Sequence, residues 1–368
     1  MNNADILKNT TLSFPIKYEK ESQFEIFVEK LLGSFKGLIK KAELSDKEVF
    51  FLSTLTDNIP KIITQYYSGN LTESYKTLYH VLDSAQDIFL AFPQKQYSIG
   101  TSFFRIRSKN YLNYKSLKKV DLFHHPFEKR GKVSSQRYSI PSFPCLYVGD
   151  SLYVCWEELN RPDLRKVQAV RFQNTAPFSV FSIDFSVYGN PKKIDKLKAY
   201  ELRSYLLLWP LFAVCSIEVP DDHKSDPFKP EYIFPQLLLQ YFLPIFLASL
   251  KSGGFNDLIG VQYSSTRISQ ALYRQKNNSF FNLVLPPLYE IGSVTHSGHS
   301  AHLIRLFDMT EIVDIEMQDF TMSDQEGIQS KVNTIELFKG IQSEYNQTEL
   351  GKIEQYLRSL PATPIDFN

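Results

Sequence analysis

The sequence predicts an α+β protein. Its first quarter has helical periodicity, its middle has apolar runs of strand length, and no regular strand–helix–strand rhythm links them. In residues 1–95, Phe24, Phe27, Leu31, Phe35 and Leu38 recur every three or four positions with Lys and Glu between them. That spacing puts one apolar stripe on a helix. A second stripe runs Leu71, Tyr75, Leu78, Leu82, Ala85, with Asn70 placed to cap it and Glu73 placed to reach back to the cap. Pro60 is expected to start or kink the helix between them. With no His/Cys cluster and no Gly-rich loop, residues 1–95 read as a helical extension, a scaffold or partner-binding bundle.

From about residue 98 the texture changes. TSFFRIR, CLYVG, VQAVRF, FSVFSIDF, FAVCSIEV, LIGVQYS and FFNLVLP are short runs rich in aromatic and β-branched residues, bounded by Pro, Gly and Asn. They read as strands. Helices are expected over 151–159, 192–208, 232–250 and 267–275. The stretch Tyr232–Leu250 carries no charge and is long enough to cross a bilayer, but Pro235, Pro244, Gln236 and Gln240 favour a buried helix broken near Pro244. Residues 96–307 form the expected catalytic domain, with an insertion at about 165–230. Residues 308–368 form an acidic and helical C-terminal segment. There Asp308, Glu311, Asp314, Glu316, Asp319, Asp324 and Glu326 follow one another without a Lys or Arg, either as a solvated face or as cover for a basic surface of this chain. A helix-like stretch is expected over 331–359.

Bulk properties exclude some classes. A net charge of +1 gives no global field for nucleic acid or an anionic membrane. Cys145, Cys155 and Cys215 match no zinc spacing, and three cysteines do not make a disulfide framework, so they are expected to be buried and reduced. MNNADILKNT has no basic stretch followed by an apolar run, so no signal peptide is expected and a cytoplasmic location is. No GxGxxG or Walker-type loop is present. His296, His299 and His302 form HxxHxxH, but within the Ser/Gly-rich THSGHSAH, which reads as a loop without a metal.

The chemistry concentrates between Phe103 and Glu158. From Arg105 to Arg137 there are ten Lys/Arg against two acids, a local excess that suits an anionic ligand or a solvated loop. Arg105 and Arg107 are alternate residues of a strand and share a face. Their two guanidinium forks suit a diphosphate. In RYSIPSFPCLYVGDSLYVCWEEL, Pro141 and Pro144 keep the chain extended before a strand, Gly149 and Asp150 break it, and a short helix from Ser151 ends at Glu157 and Glu158.

The order FFRIR, FHHPF, QRYSIPSFPCLYVGDSLYVCWEEL, PEYIFPQLLLQYF, GVQYSST, NLVLPP resembles the RES domain family over roughly residues 98–290. The resemblance implies an ADP-ribosyltransferase-like split β-sheet core and an NAD⁺-consuming, toxin-type activity. It implies Glu158, Ser265 and Arg105 as catalytic, with Glu157 and Ser264 as fallbacks. It implies Arg105, Arg107, Arg137 and Tyr147 as NAD⁺-binding, with either Arg105 or Arg107 as the family arginine; in FHHPF, His124 or His125 either lines the NAD⁺ cleft or serves the fold. Glu231, in PEYIFPQ, caps the following helix or faces the cleft. Gln136 stands where many members have Gly, and the Glu-to-Ser separation is longer than in compact members, which is the basis for the insertion.

The expected reaction is cleavage of the nicotinamide–ribose bond, with water or inorganic phosphate as acceptor. Positive charge developing on the ribose calls for a carboxylate, the role given to Glu158, and neutral nicotinamide needs no strong general acid. The alternatives are an ADP-ribosyltransferase acting on a macromolecule and a catalytically silent NAD⁺- or partner-binding module. A separate antitoxin is an expected partner. Neither a membrane nor nucleic acid is expected.

Overall fold

Apolar periodicity decides the first helices. The structure, a computed structural model, describes residues 2–18, 23–84, 92–109, 117–253, 257–275, 278–288, 294–315, 330, 332–338 and 340–367. Its helices are α1 (Asn3–Leu7), α2 (Phe24–Ile39), α3 (Asp46–Tyr67), α4 (Leu71–Asp83), α5 (Leu152–Glu158), α6 (Pro191–Ile194), α7 (Ala199–Cys215), α8 (Ile233–Ser252), α9 (Gln270–Tyr273), α10 (Ala301–Leu306) and α11 (Glu349–Ser359). Its strands are β1 (Gln94–Tyr97), β2 (Ser102–Ser108), β3 (Leu146–Gly149), β4 (Val167–Asn174), β5 (Phe178–Ile183), β6 (Asp257–Ser264), β7 (Phe281–Leu285), β8 (Phe307–Met309), β9 (Val313–Asp314), β10 (Thr334–Phe338), β11 (Ile341–Glu344) and β12 (Thr363–Pro364). The protein is therefore mixed, with many helices and a large sheet, as α+β requires.

The chain forms two units from non-contiguous stretches: residues 1–94, 135–140 and 181–244 in the first, the remainder in the second. The first unit is helical. In α2 the buried stripe is Phe24, Val28, Leu32 and Phe35, with Phe27, Leu31 and Leu38 flanking it, so the true face is rotated slightly from the expected one. α3 runs unbroken through Pro60, because burial of Leu55, Ile59, Ile62 and Ile63 outweighs one missing backbone hydrogen bond. Glu48 accepts from the Ser45 N–H at 2.8 Å at its start. Asn70 does precede α4, but its side chain makes no capping bond, and Glu73 pairs with Lys76 at 2.9 Å instead. Ala85 lies outside the described residues.

FAVCSIEV is not a strand. Its first four residues end α7, in which every residue from Leu206 to Cys215 is buried, and beyond the helix Ile217 makes an isolated bridge to Ile16. A helix buried on all sides loses its 3.6 periodicity and reads like a buried strand. Trp209 anchors this core, stacked on Phe35 at 4.4 Å and donating to the Leu12 carbonyl at 3.2 Å. α8 is continuous through Pro244 rather than broken there. Residues 230–252 form one helix long and apolar enough to cross a membrane, and half of its apolar window is buried in the protein.

The sheet of the second unit has the order β1-β5-β6-β7-β3-β2-β4-β8-β12, with β9 also pairing β4. β2 runs antiparallel to β3 and β4, and β7 antiparallel to β3 and β6. Tyr97, Phe103, Phe178 and Phe307 pack edge-on or tilted on one another over it. Buried Arg171 of β4 donates to the carbonyls of Leu357 (2.8 Å) and Leu360 (2.6 Å), fixing the end of α11. The expected C-terminal helix holds only for α11. Thr334–Phe338 and Ile341–Glu344 pair as the β10–β11 hairpin, and Gly340 takes φ +81°, a turn conformation that no helix continues.

The acidic segment does meet the basic one within this unit: Lys109 pairs with Asp314, and Lys119 with Glu311 at 2.6 Å. Glu316, Asp319, Asp324 and Glu326 lie outside the described residues, as does Lys115 of the basic run.

Candidate functional site

The site begins at a strand-to-helix turn. Ser151 caps α5 by accepting from the Val154 N–H at 3.3 Å. A Cβ on Gly149 would lie 2.8 Å from the Cys155 sulfur, so only glycine lets α5 close down on β3. Cys155 then donates to the Phe104 carbonyl at 3.1 Å, tying the helix to β2. Leu152 to Glu157 are buried, and Glu158, in the last turn, is part-exposed.

Glu158 is held from three sides. The Ser265 hydroxyl, just past the end of β6, and the Asn282 side-chain amide, on β7, each donate to its Oε1 at 2.7 Å. The Arg267 Nε lies 3.3 Å from its Oε2. Ser265 is itself fixed: its N–H donates to the Phe280 carbonyl at 3.0 Å, and the Tyr273 hydroxyl reaches its carbonyl at 2.8 Å. The structure thus joins two predicted residues, Glu158 and Ser265, across 107 positions of sequence. Glu157 points elsewhere: Arg161 grips it at 2.6 and 3.0 Å and also holds the carbonyls of Glu336 and Leu337. Ser264, the other fallback, is buried on β6 opposite Phe281.

Arg105 and Arg107 share the predicted face of β2, opposite Val170 and Gln168. The Arg105 Nη1 is buried and has no hydrogen-bond partner among the described residues. Desolvation, then Arg107, pushes its pKa down to about 9. Arg105 also interacts with Tyr147 and Cys155, which puts it beside β3 and α5. Burial raises the Tyr147 phenol far above its ordinary value, and Tyr147 is hydrogen-bonded to Cys145. The Arg107 Nη2 lies 3.4 Å from the His125 Nε2. Burial, then Arg107, Arg105, Lys129 and Lys132, lowers the His125 pKa to about 4. A buried, unpaired cation amid further positive charge favours an anion.

Of the two roles expected for His124, the structure shows the structural one. It is fully buried, its Nδ1 lies 2.8 Å from the His125 carbonyl, and its Nε2 accepts the Ser300 N–H at 3.0 Å. Both ring nitrogens serve the fold. Burial lowers its pKa to about 3 and that of His302 to about 4. The unfolded imidazoles titrate near about 6.5. As pH falls below that value the unfolded chain takes up protons before the folded one, so stability is lost on going down from about 6.5 towards 4. The melting temperature is expected to fall across this window, and a flat profile between pH 6.5 and 4.5 would contradict the assignment.

Arg137 belongs to the first unit and departs from its expected role. Its two terminal nitrogens donate to the carbonyls of Cys215 (3.0 Å) and Ile217 (2.9 Å), and its guanidinium lies over Tyr232 at 5.1 Å. It satisfies a carbonyl at the end of α7, a group that a helix leaves without an internal partner. Glu231, in the same unit, is buried, which raises its pKa despite the opposing charge of Arg137. The three cysteines are buried and free. Among the described residues no group of three His, Cys, Asp or Glu side chains could hold a metal.

Two site residues were not anticipated. Asn282 left a signal, a lone amide inside the apolar strand FFNLVLP. Arg267 left only its place two residues after Ser265.

The fold and this constellation define an α+β protein with a carboxylate clamped at a sheet end and, in the same unit, a buried cationic cluster. No family model matches the chain, and no solved structure matches it. It is similar to a protein of Bacillus subtilis (strain 168) named "Putative toxin YopC", with 29% identity over 373 aligned residues, covering 93% of this chain and 77% of that protein.

Proposed function

We propose that this chain is a RES-type toxin with an ADP-ribosyltransferase-like core that consumes NAD⁺ by cleaving the nicotinamide–ribose bond. The observation that carries this reading is the Glu158 carboxylate, fixed by Ser265 and Asn282 at 2.7 Å each. A carboxylate immobilised before the substrate arrives stabilises the oxocarbenium-like sugar without reorganising. The toxin-type relative supports the biological role.

In this reading Arg105, with its unpaired buried Nη1, and Arg107 hold the diphosphate. Gripping that group immobilises the ribose over Glu158, and such positioning contributes up to about 7–11 kcal/mol in ideal cases. Tyr147 packs against the nicotinamide end. Water as acceptor makes the enzyme a glycohydrolase, and phosphate makes it a phosphorylase. The NAD⁺ consumed is the cytoplasmic pool, and a separate antitoxin covers the cleft.

The test is NAD⁺ loss by the purified chain, with and without inorganic phosphate, with products resolved by mass. Free ADP-ribose or its phosphate supports the reading. Intact NAD⁺ in both conditions overturns it, and ADP-ribose attached to a macromolecule replaces it with the transferase. Arg105→Ala is expected to raise KM by about 10–100-fold, the value of a charge-assisted hydrogen bond, with a smaller effect on kcat. Unchanged KM in steady-state kinetics would put the diphosphate elsewhere.

A further inference from the structure

We propose that Arg267 binds the leaving group, donating from its guanidinium to the carboxamide oxygen of nicotinamide while its Nε stays on Glu158. This rests on the NAD⁺ reading above. Arg267 is anchored at one end and unsatisfied at the other. Its Nε lies 3.3 Å from the Glu158 Oε2, and its backbone N–H lies 3.3 Å from the Ser265 Oγ. Its Nη1 is buried and has no hydrogen-bond partner among the described residues. A buried donor without an acceptor is unfavourable, so the site gains when a ligand supplies one. Nη1 sits on the same rigid fork as Nε. The missing acceptor therefore lies one hydrogen bond, about 3 Å, beyond a group already held at Glu158. In NAD⁺ bound with its ribose over Glu158, the pyridinium carboxamide is an uncharged acceptor in this neighbourhood.

The charge balance favours that acceptor over a phosphate. Arg267 is paired with a carboxylate, which cancels much of its charge, whereas Arg105 and Arg107 form a cationic cluster with an unpaired member. The neutralised guanidinium suits a neutral oxygen, and the other pair suits the dianion.

The contact also strengthens during reaction. When the bond between the anomeric carbon and the ring nitrogen breaks, its electron pair goes to that nitrogen and nicotinamide leaves neutral. A water oxygen forms the new bond to carbon and releases one proton to solvent. Electron density returning to the ring makes the carboxamide oxygen a better acceptor, so the hydrogen bond from Arg267 is stronger in the transition state than in the ground state and raises kcat. One ion pair then serves both fragments, Glu158 the sugar and Arg267 the departing base.

The experiment compares wild type, Arg267→Gln and Arg267→Lys on NAD⁺ and on the analogue whose pyridinium ring lacks the carboxamide. The difference in intrinsic reactivity of the two substrates cancels between proteins. Arg267→Gln is expected to lower kcat on NAD⁺ by about 10–100-fold and on the analogue by less than about threefold. Arg267→Lys keeps the charge beside Glu158 but not the fork, and is expected to show the same selective loss, which covers the case of an unfolded Gln variant. Equal losses on both substrates, with wild type active, would overturn the role of Arg267 alone. Inactive wild type would overturn it together with the NAD⁺ reading.

Discussion

Glu158→Gln is expected to lower kcat for NAD⁺ cleavage by about 10²–10³-fold while leaving NAD⁺ affinity within a few fold, on the scale seen when one preorganised electrostatic group is removed. Gln preserves the volume of Glu and keeps an oxygen for the Ser265 hydroxyl and the Asn282 amide, which both bond to Oε1. What it removes is the negative charge under the ribose, together with the acceptor that the Arg267 Nε faces at Oε2. Ground-state binding rests on Arg105 and Arg107 and is expected to survive. Single-turnover rates beside equilibrium NAD⁺ binding separate the two. Wild-type turnover in the variant would remove Glu158 from the chemistry, and a matching loss of affinity would make it a binding group.

Glu354→Ala is expected to destabilise the fold by about 3–5 kcal/mol, because it strips the partner from a buried charge. Glu354 is 1% exposed. It accepts the Leu152 N–H at 2.9 Å and the Tyr345 hydroxyl at 2.7 Å, and it binds Arg358 at 2.8 Å. The first of these bonds lies at the N-terminus of α5, where a carboxylate also complements the helix dipole. The same residue therefore sets the position of the helix that carries Glu158. Urea denaturation measures the loss, and a change below about 1 kcal/mol would mean that water replaces these partners at little cost.

Local chemistry was legible where it repeats or breaks. Short runs rich in aromatic and β-branched residues marked β2, β3, β4, β5, β6 and β7, and the Gly149–Asp150–Ser151 break marked the start of α5. Continuous burial was not legible: α7 from Leu206 to Cys215 carries no polar face, so its end was read as a strand. Pro244 misled for a related reason, and Pro60 lies within α3 rather than at its start. Pro60 and Pro244 sit inside helices whose packed apolar sides hold them together. The association of residues 181–244 with the N-terminal helices depends on tertiary packing that no local pattern encodes.

In the site, the resemblance pointed to Glu158 and Ser265 separately; their hydrogen bond came from the fold. It did not point to the partners that finish the clamp: Asn282 needs the β7 register and Arg267 needs the turn after β6. The roles of Arg137 and His124 turn on which backbone groups lie beside them, and neither a carbonyl at the end of a helix nor an N–H at the start of one is visible in a residue's own identity.

Glu157 and Glu158 are chemically identical neighbours with opposite fates, one locked to Arg161 and the other presented to Ser265 and Asn282. Successive residues on a helix are separated by about 100° of rotation. The division between them is thus a matter of phase. Inserting a single residue between Ser151 and Glu157 would rotate Glu157 into the clamp position, whereas deleting one would put Leu159 there. The turn at Gly149 and the cap at Ser151 act as an index mark for the helix, and the distance of seven residues from that mark to Glu158 is as much a part of the site as the carboxylate itself.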